Sequence, residues 1–165
     1  MAFIGIVTNE KNIQYMLTNL KNIFDRQKVI FINDNNIEHL QNIKFETIAI
    51  DCEINNIMQL KKLISNANYL ILNADIEVNG FLLEDINLMA ITYGFKGKAT
   101  ITVSSVSENN IIICLQRIMK TAQNGKYEPQ EINIEIKQNV DIHGIICTHI
   151  IKLFYEKNRI LCEEK

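Results

Sequence analysis

The chain has 165 residues, 47% of them hydrophobic and 22% charged, with a formal net charge of −2. That length suits one domain with room for an appended subdomain, burying about 70% of the unfolded surface. A charge so close to neutral gives no steering toward nucleic acid or an anionic membrane, so neither is expected as a partner.

Phe3 to Val7 is a continuous apolar run, the pattern of a strand buried on both faces. Thr8 and Asn9 follow as helix N-cap types. Ile13, Met16, Leu17, Leu20, Ile23 and Phe24 recur at helical spacing and predict one amphipathic helix with those residues inward. Lys28 to Ile32 reads as a second strand, Asn33-Asp34-Asn35-Asn36 as its turn and cap cluster, and Ile37 and Leu40 as the buried side of a short helix. Phe45 to Ile50 gives a third strand, and Ile57, Leu60, Ile64 and Ala67 the face of another helix. Tyr69 to Leu72 and Met89 to Tyr93 read as fourth and fifth strands, while Phe81 to Asp85 is open between a short helix and a loop. Strands alternating with helices imply right-handed crossovers and a mostly parallel sheet.

After Gly94 the pattern changes. Thr100 to Val103 alternates as a half-exposed strand does, Ile111 to Leu115 is another strand, and Asn124-Gly125 is a hairpin-type turn signal. Ile132, Ile134 and Ile136 alternate with Asn133, Glu135 and Lys137, and Pro129 stands near the start of that strand, where a missing N–H is tolerated. Asn139 or Asp141 caps a last helix carrying Ile142, Ile145, Ile146, Ile150, Leu153 and Phe154, and the tail from Asn158 is expected to fray. The expected fold is α/β: a Rossmann-like, mostly parallel sheet over residues 1–98, then an antiparallel β-hairpin extension and a C-terminal helix over residues 99–165, in the same compact domain.

The four cysteines, Cys52, Cys114, Cys147 and Cys162, form no C-x-x-C pair and read as free thiols of a reducing cytosol. The segment from Met1 to Val7 has no basic n-region, and no apolar run approaches the ~20 residues of a membrane span. A cytoplasmic location is expected. Asn and Ile are in excess throughout, as coding bias would produce, so asparagine-rich patches are discounted as binding signals.

No G-x-G-x-x-G or G-x-x-x-x-G-K-[ST] occurs, and Gly97-Lys98-Ala99-Thr100 leads into a strand where a phosphate loop leads into a helix. Open α/β sheets bind ligands at the carboxyl ends of their strands. Here those ends carry Thr8, Asn9, Asn33, Asp34, Asp51, Asn73 and Asp75. The same residue types are demanded there as caps and turns, and that reading is preferred. His143 and Cys147 stand at i, i+4 and share a helix face, but zinc would need two further ligands, so no metal site is expected. His149 faces another side of that helix and His39 a surface helix. No serine lies in a G-x-S-x-G context, and Glu84-Asp85 are adjacent residues that seldom converge on one substrate.

Leu70-Ile71-Leu72-Asn73-Ala74-Asp75 and Ile91-Thr92-Tyr93-Gly94-Phe95 resemble two successive strands of the ATP-binding middle domain of Mur ligases and their folylpolyglutamate synthetase relatives, written N-A-D-D and x-T-Y-G-F there. Ala99 to Val106 is similar to the family's next segment, and Asn139-Val140 stands where it has H-N-x-x-N-A. The likeness runs from Leu70 to the end of the chain. It implies a shared fold, a bacterial origin and, at Asn73, the remnant of an adenine pocket. The departures are as specific. Ile76 replaces the second aspartate, Gln138 replaces the histidine, the phosphate loop with its lysine is missing, nothing aligns with the magnesium ligands or carboxylated lysine, and the chain ends before a closing C-terminal domain. Phosphoryl transfer depends almost wholly on positioning phosphate and metal, so ligase activity is not expected.

Three functions follow in order of preference. The first is a non-catalytic interaction module binding a protein partner or itself through short exposed strands between Thr100 and Lys137. The second is a binder of an adenine or uridine nucleotide, with Thr8, Asn9, Asn33, Asp34, Asn73, Asp75 and Asn139 as candidate ligand-binding residues. The third is a partial ligase completed by a separate subunit. No cofactor is expected beyond that possible nucleotide.

Overall fold

The computed structural model describes residues 2–77, 79–136 and 139–156. Lys137, Gln138, Cys162 and the tail from Asn158, all singled out in the sequence, lie outside them. The apolar runs become strands β1 (Phe3–Val7), β2 (Lys28–Phe31), β3 (Thr47–Ile50), β4 (Tyr69–Asn73) and β5 (Met89–Gly94). After Gly94 come β6 (Ile101–Val106), β7 (Asn110–Leu115), the two-residue strands β8 (Met119–Lys120) and β9 (Lys126–Tyr127), and β10 (Gln130–Glu135). One eight-stranded sheet runs in the order β10-β7-β6-β5-β4-β3-β1-β2, and β8 pairs with β9 in a separate hairpin. β1 to β6 are parallel, whereas β7 and β10 run antiparallel to their neighbours. The parallel part and the hairpin extension are therefore continuous through β5 and β6, with a bulge between Val103 and Ser105 as β6 enters the antiparallel region.

The helices are α1 (Glu10–Asn19), α2 (Lys21–Phe24), α3 (Ile57–Ser65), α4 (Asn79–Leu82) and α5 (Ile142–Tyr155), with a 3-10 turn at Ile37–Leu40. On one face of the sheet, Ile4, Ile6, Ile71, Ile91, Tyr93, Ile113 and Ile134 pack with Met16 and Leu20 and with Ile146, Ile150 and Phe154 of α5. On the other, Val7, Ile48, Ile50, Leu70 and Leu72 pack with Leu60 and Ile64 of α3 and with Ile37 and Leu40. None of the described residues of β6, β7 or β10 joins this second cluster. Side chains alternate across a strand, so on that face these strands carry Thr102, Ile112, Cys114, Glu131 and Asn133, and Ile112 there joins neither cluster.

Three local expectations change. The single helix expected between Asn9 and Phe24 breaks at Leu20 (φ −105°, ψ 11°) into α1 and α2. Its buried stripe is Asn12, Met16, Leu20 and Ile23, and Leu17 is 42% exposed, one position off that stripe. The third strand is shorter than expected and starts at Thr47, with Glu46 just before it bonding to both flanking chains: its N–H donates to the Phe3 carbonyl and its carbonyl accepts from Asn68 and Tyr69. The open segment near Phe81 contains the short helix α4 and then Asp85 in the left-handed region (φ 60°).

α5 is capped by Asp141, whose carboxylate accepts from the Gly144 N–H. It is buried around most of its circumference, as a helix apolar on nearly every side must be. The described cysteines, Cys52, Cys114 and Cys147, are free thiols. Among the described residues no helix is long and apolar enough to cross a membrane.

Candidate functional site

The parallel strands β1, β3, β4 and β5 deliver Thr8, Asp51, Asn73 and Gly94 to one edge of the sheet, where the first turns of α1 and α5 also converge. Asp51 is 4% exposed and is the hub. It accepts from Thr8 Oγ1 at 2.9 Å, from Tyr93 OH at 2.6 Å and from Asn12 Nδ2 at 3.3 Å. Burial pushes the Asp51 carboxyl above its ordinary range; the Tyr93 and Thr8 hydroxyls pull against that, and the neighbouring Asp141 charge adds to it.

Asn12 links this hub to α5. Its Nδ2 also lies 3.0 Å from Asp141 Oδ2, and its Oδ1 accepts from the Asp141 N–H at 3.3 Å. Asp141 further receives the Gly144 N–H at 2.7 Å, Asn9 Nδ2 at 3.3 Å and the Lys11 ammonium at 3.5 Å. Burial opposes ionisation of Asp141, but the Gly144, Asn12 and Asn9 hydrogen bonds and the Lys11 charge outweigh it and hold the carboxyl below its usual range. The approach of α5 to α1 requires glycine at position 144, where a Cβ would lie 2.4 Å from Asn12 Nδ2.

A second knot lies alongside. Asp75 accepts from the N–H groups of Phe95 at 2.8 Å and Lys96 at 3.2 Å, and pairs with His143 Nε2 at 2.7 Å. Gly94 makes this possible, since its φ of +148° turns the chain back and a Cβ there would meet the Asp75 carboxylate at 2.6 Å. Burial works against the Asp75 charge, yet the bonds from His143, Phe95 and Lys96 prevail and lower its pKa. An ionised carboxylate only accepts, so this pair assigns the imidazole proton to Nε2. The half-exposed Phe95 ring packs edge-on against His143 at 5.6 Å.

The candidate residues distribute as follows. Thr8, Asn9, Asn73 and Asp75 come together in these two knots. Asn73 is 3% exposed, donates to the Asp51 carbonyl at 3.1 Å and accepts from the Asp75 N–H at 3.0 Å. Asn9 occupies the N-cap position of α1 without a side-chain capping bond, its amide reaching Asp141 instead. Asn139 stands exposed in the left-handed region (φ 63°). Asn33 and Asp34 belong to a separate turn: Asn33 accepts from the N–H groups of Asn35 and Asn36, and Asp34 from those of Asn55 and Asn56 at the start of α3.

Cys147 lies beside Tyr93 with its thiol pushed well up by burial and by the Asp51 charge, and Cys52 is raised to about 11 by burial and the same charge. Both stay protonated at neutral pH, so neither supplies a thiolate nucleophile. Among the described residues no three His, Cys, Asp or Glu side chains are spaced to hold a metal ion.

Sequence reasoning missed Asn12, Tyr93 and the pairing of His143 with Asp75. For Asn12 a signal existed: it lies four residues before Met16, so a polar side chain interrupts the buried stripe of α1. The Asp75–His143 contact spans 68 residues and leaves no local trace. The chain matches no protein-family model and no curated protein.

Proposed function

We propose that the chain is a non-catalytic, Mur-ligase-like interaction module that takes an extended segment of a partner protein onto the free edge of its sheet. The observation that carries this reading is the construction of β10. The Ile136 N–H donates to the Asn109 carbonyl, and the β10–β7 register continues that ladder through Ile134, Ile132 and Gln130. The intervening residues Glu131 and Asn133 therefore turn their backbone N–H and C=O away from β7, toward the open edge. Their exposed side chains fall on the sheet face where no described residue of β6, β7 or β10 joins an apolar cluster. Support also comes from the carboxyl-end network, where Thr8, Asp51, Asn73, Asp75 and Asp141 bond to side chains and backbone of the chain itself, among them Tyr93, Asn12 and His143.

The partner is a strand with Lys or Arg at alternate positions. The exposed Glu131 at this edge favours a basic side chain directly opposite it on the incoming strand. A lysine-valine alternating peptide titrated by fluorescence anisotropy tests the reading. Wild type binds it, and binding weakens with salt. Asn133→Pro abolishes it, because proline removes an outward N–H without removing a bond to β7. Equal binding of a glutamate-valine peptide, or binding untouched by Asn133→Pro, would overturn the reading. A concentration-dependent dimer lost in Asn133→Pro would overturn the choice of a foreign partner.

A further inference from the structure

At the opposite end of β4 and β5 from the carboxyl-end network, the β8–β9 hairpin flanks a partly open cavity of about 350 Å³. Its apolar wall is Tyr69 and Met89, cross-strand partners at the amino ends of β4 and β5, together with Ile118, which is 51% exposed. The Tyr69 ring is held edge-on against Phe154 at 5.0 Å, so this wall is fixed by the core. Its polar side is Lys120 and Lys126 with Thr121, Asn124 and Gly125 of the turn between them.

Those two lysines are paired directly opposite each other in the hairpin. Like charges in that position oppose strand pairing, and here they occupy one of the two ladder pairs of β8 and β9, which bonds between Thr121 and Gly125 continue into the turn. Lys126 shares its charge with Glu128 at 2.7 Å. Among the described residues Lys120 makes no ion pair. Lys120 thus brings to the cavity mouth, beside an apolar wall, a positive charge with no ion pair among the described residues.

We propose that this cavity binds a small organic monoanion, a carboxylate attached to a single ring or a branched chain. The carboxylate sits between Lys120 and Lys126, and the apolar body lies over Tyr69, Met89 and Ile118. The volume is at the lower end of ligand pockets, of roughly 300–1,000 Å³, which suits one ring rather than a nucleotide. The Lys120 charge matches a carboxylate rather than a phosphate dianion. Met89 gives the wall an unbranched, adaptable side chain that fits more than one apolar shape. Binding also relieves the lysine pair, so the ligand tightens the hairpin it enters.

The test is an NMR titration of the full chain with benzoate and with 3-methylbutanoate, using benzamide and benzylammonium as controls. Both carboxylates shift the amides of Ile118 to Lys126 and the Met89 methyl in a saturating manner, and the two controls do not. Lys120→Glu keeps the fold, because it replaces a repulsive cross-strand pair with an attractive one, and it lowers benzoate affinity by on the order of tenfold or more. Ile118→Asn, a change at an exposed position, weakens both carboxylates. Three results would each overturn the proposal: no shift at about 10 mM benzoate, where a millimolar Kd would approach saturation; equal binding of benzamide; or benzoate binding unchanged in Lys120→Glu.

Discussion

Gly144→Ala tests whether the contact between α5 and α1 is as close as the hydrogen-bond network requires. The new Cβ would stand 2.4 Å from Asn12 Nδ2 and 2.5 Å from its Cγ, and Asn12 is fully buried. Forcing such a group aside costs about 1–3 kcal/mol by overpacking. Displacing Asn12 also weakens its bonds to the Asp51 and Asp141 carboxylates, at about 1.5–3 kcal/mol for a hydrogen bond to a charged partner. Alanine returns up to about 1 kcal/mol as a better helix former than glycine. The expected net destabilisation is about 2–4 kcal/mol. In an Asn12→Ala background the obstacle is gone, and the same substitution becomes neutral or stabilising by up to about 1 kcal/mol. Urea denaturation of wild type, both single variants and the double variant closes the cycle, with an expected coupling of about 3 kcal/mol, high but within the range for contacting residues. A Gly144→Ala cost that is the same in both backgrounds would refute the argument, since the obstacle would then not be Asn12.

Tyr93→Phe removes the 2.6 Å bond to Asp51 while keeping the buried ring, and urea denaturation should show a loss of about 1.5–3 kcal/mol; an unchanged midpoint would mean that this hydroxyl contributes nothing net. His149 is depressed from 6.5 to about 4 by burial and by the Lys152 charge, so the unfolded chain takes up its proton first as pH falls. Its contribution is full above pH 6.5 and is lost toward pH 4, up to about 3 kcal/mol at the lower end. Asp51 works in the other sense over its own window, because its raised folded pKa lets the native state bind a proton before the unfolded chain does. Melts across this range should therefore show His149→Leu losing less stability on acidification than wild type, and parallel curves would contradict the assignment. Millimolar ATP or UDP-sugar with magnesium should leave the melting temperature unchanged, whereas a ligand at 100 times its Kd would add about 2.7 kcal/mol, and a clear shift would favour the nucleotide reading over the interaction module.

The eight strands of the main sheet were legible as short apolar runs or as period-two alternation, patterns that survive without tertiary information, whereas the two-residue strands β8 and β9 were signalled only by the Asn124-Gly125 turn between them. Asp141 was legible as a cap because capping is a local demand of the helix that follows it. The break at Leu20 was not legible, since an apolar residue at the right spacing gives no sign that the backbone leaves helical geometry there. Nor was the role of Tyr93. Its position in a buried strand accounts for the ring but says nothing about a hydroxyl that meets a carboxylate 42 residues away. The same holds for Gly94, whose positive φ serves an aspartate 19 residues earlier in the chain. Residues whose neighbours in sequence explain them were readable, and residues explained only by the stacking of α5 on the sheet were not.

That stacking has a logic of its own. α5 is apolar on nearly every side, and a helix of that kind can slide or rotate over Ile, Leu and Phe at little cost, because hydrophobic contact is not directional. The polar contacts sit where they remove this freedom. At the amino end, Asp141 holds Asn12 of α1 and His143 holds Asp75 beyond β4. At the carboxyl end, the Tyr155 hydroxyl meets Thr47 Oγ1 and Glu46, both near the start of β3. Two anchors at opposite ends of a 14-residue helix fix both its translation and its rotation, whereas either anchor alone would leave one of them free. Burying Asp51 and Tyr93 beneath such a helix costs desolvation, and a well-packed apolar replacement would often be as stable. The network is therefore better understood as setting register than as adding stability. A fixed α5 holds the covered face of the sheet in place, so that β10 at one edge and the Tyr69–Met89 wall at the amino end are presented on a rigid frame.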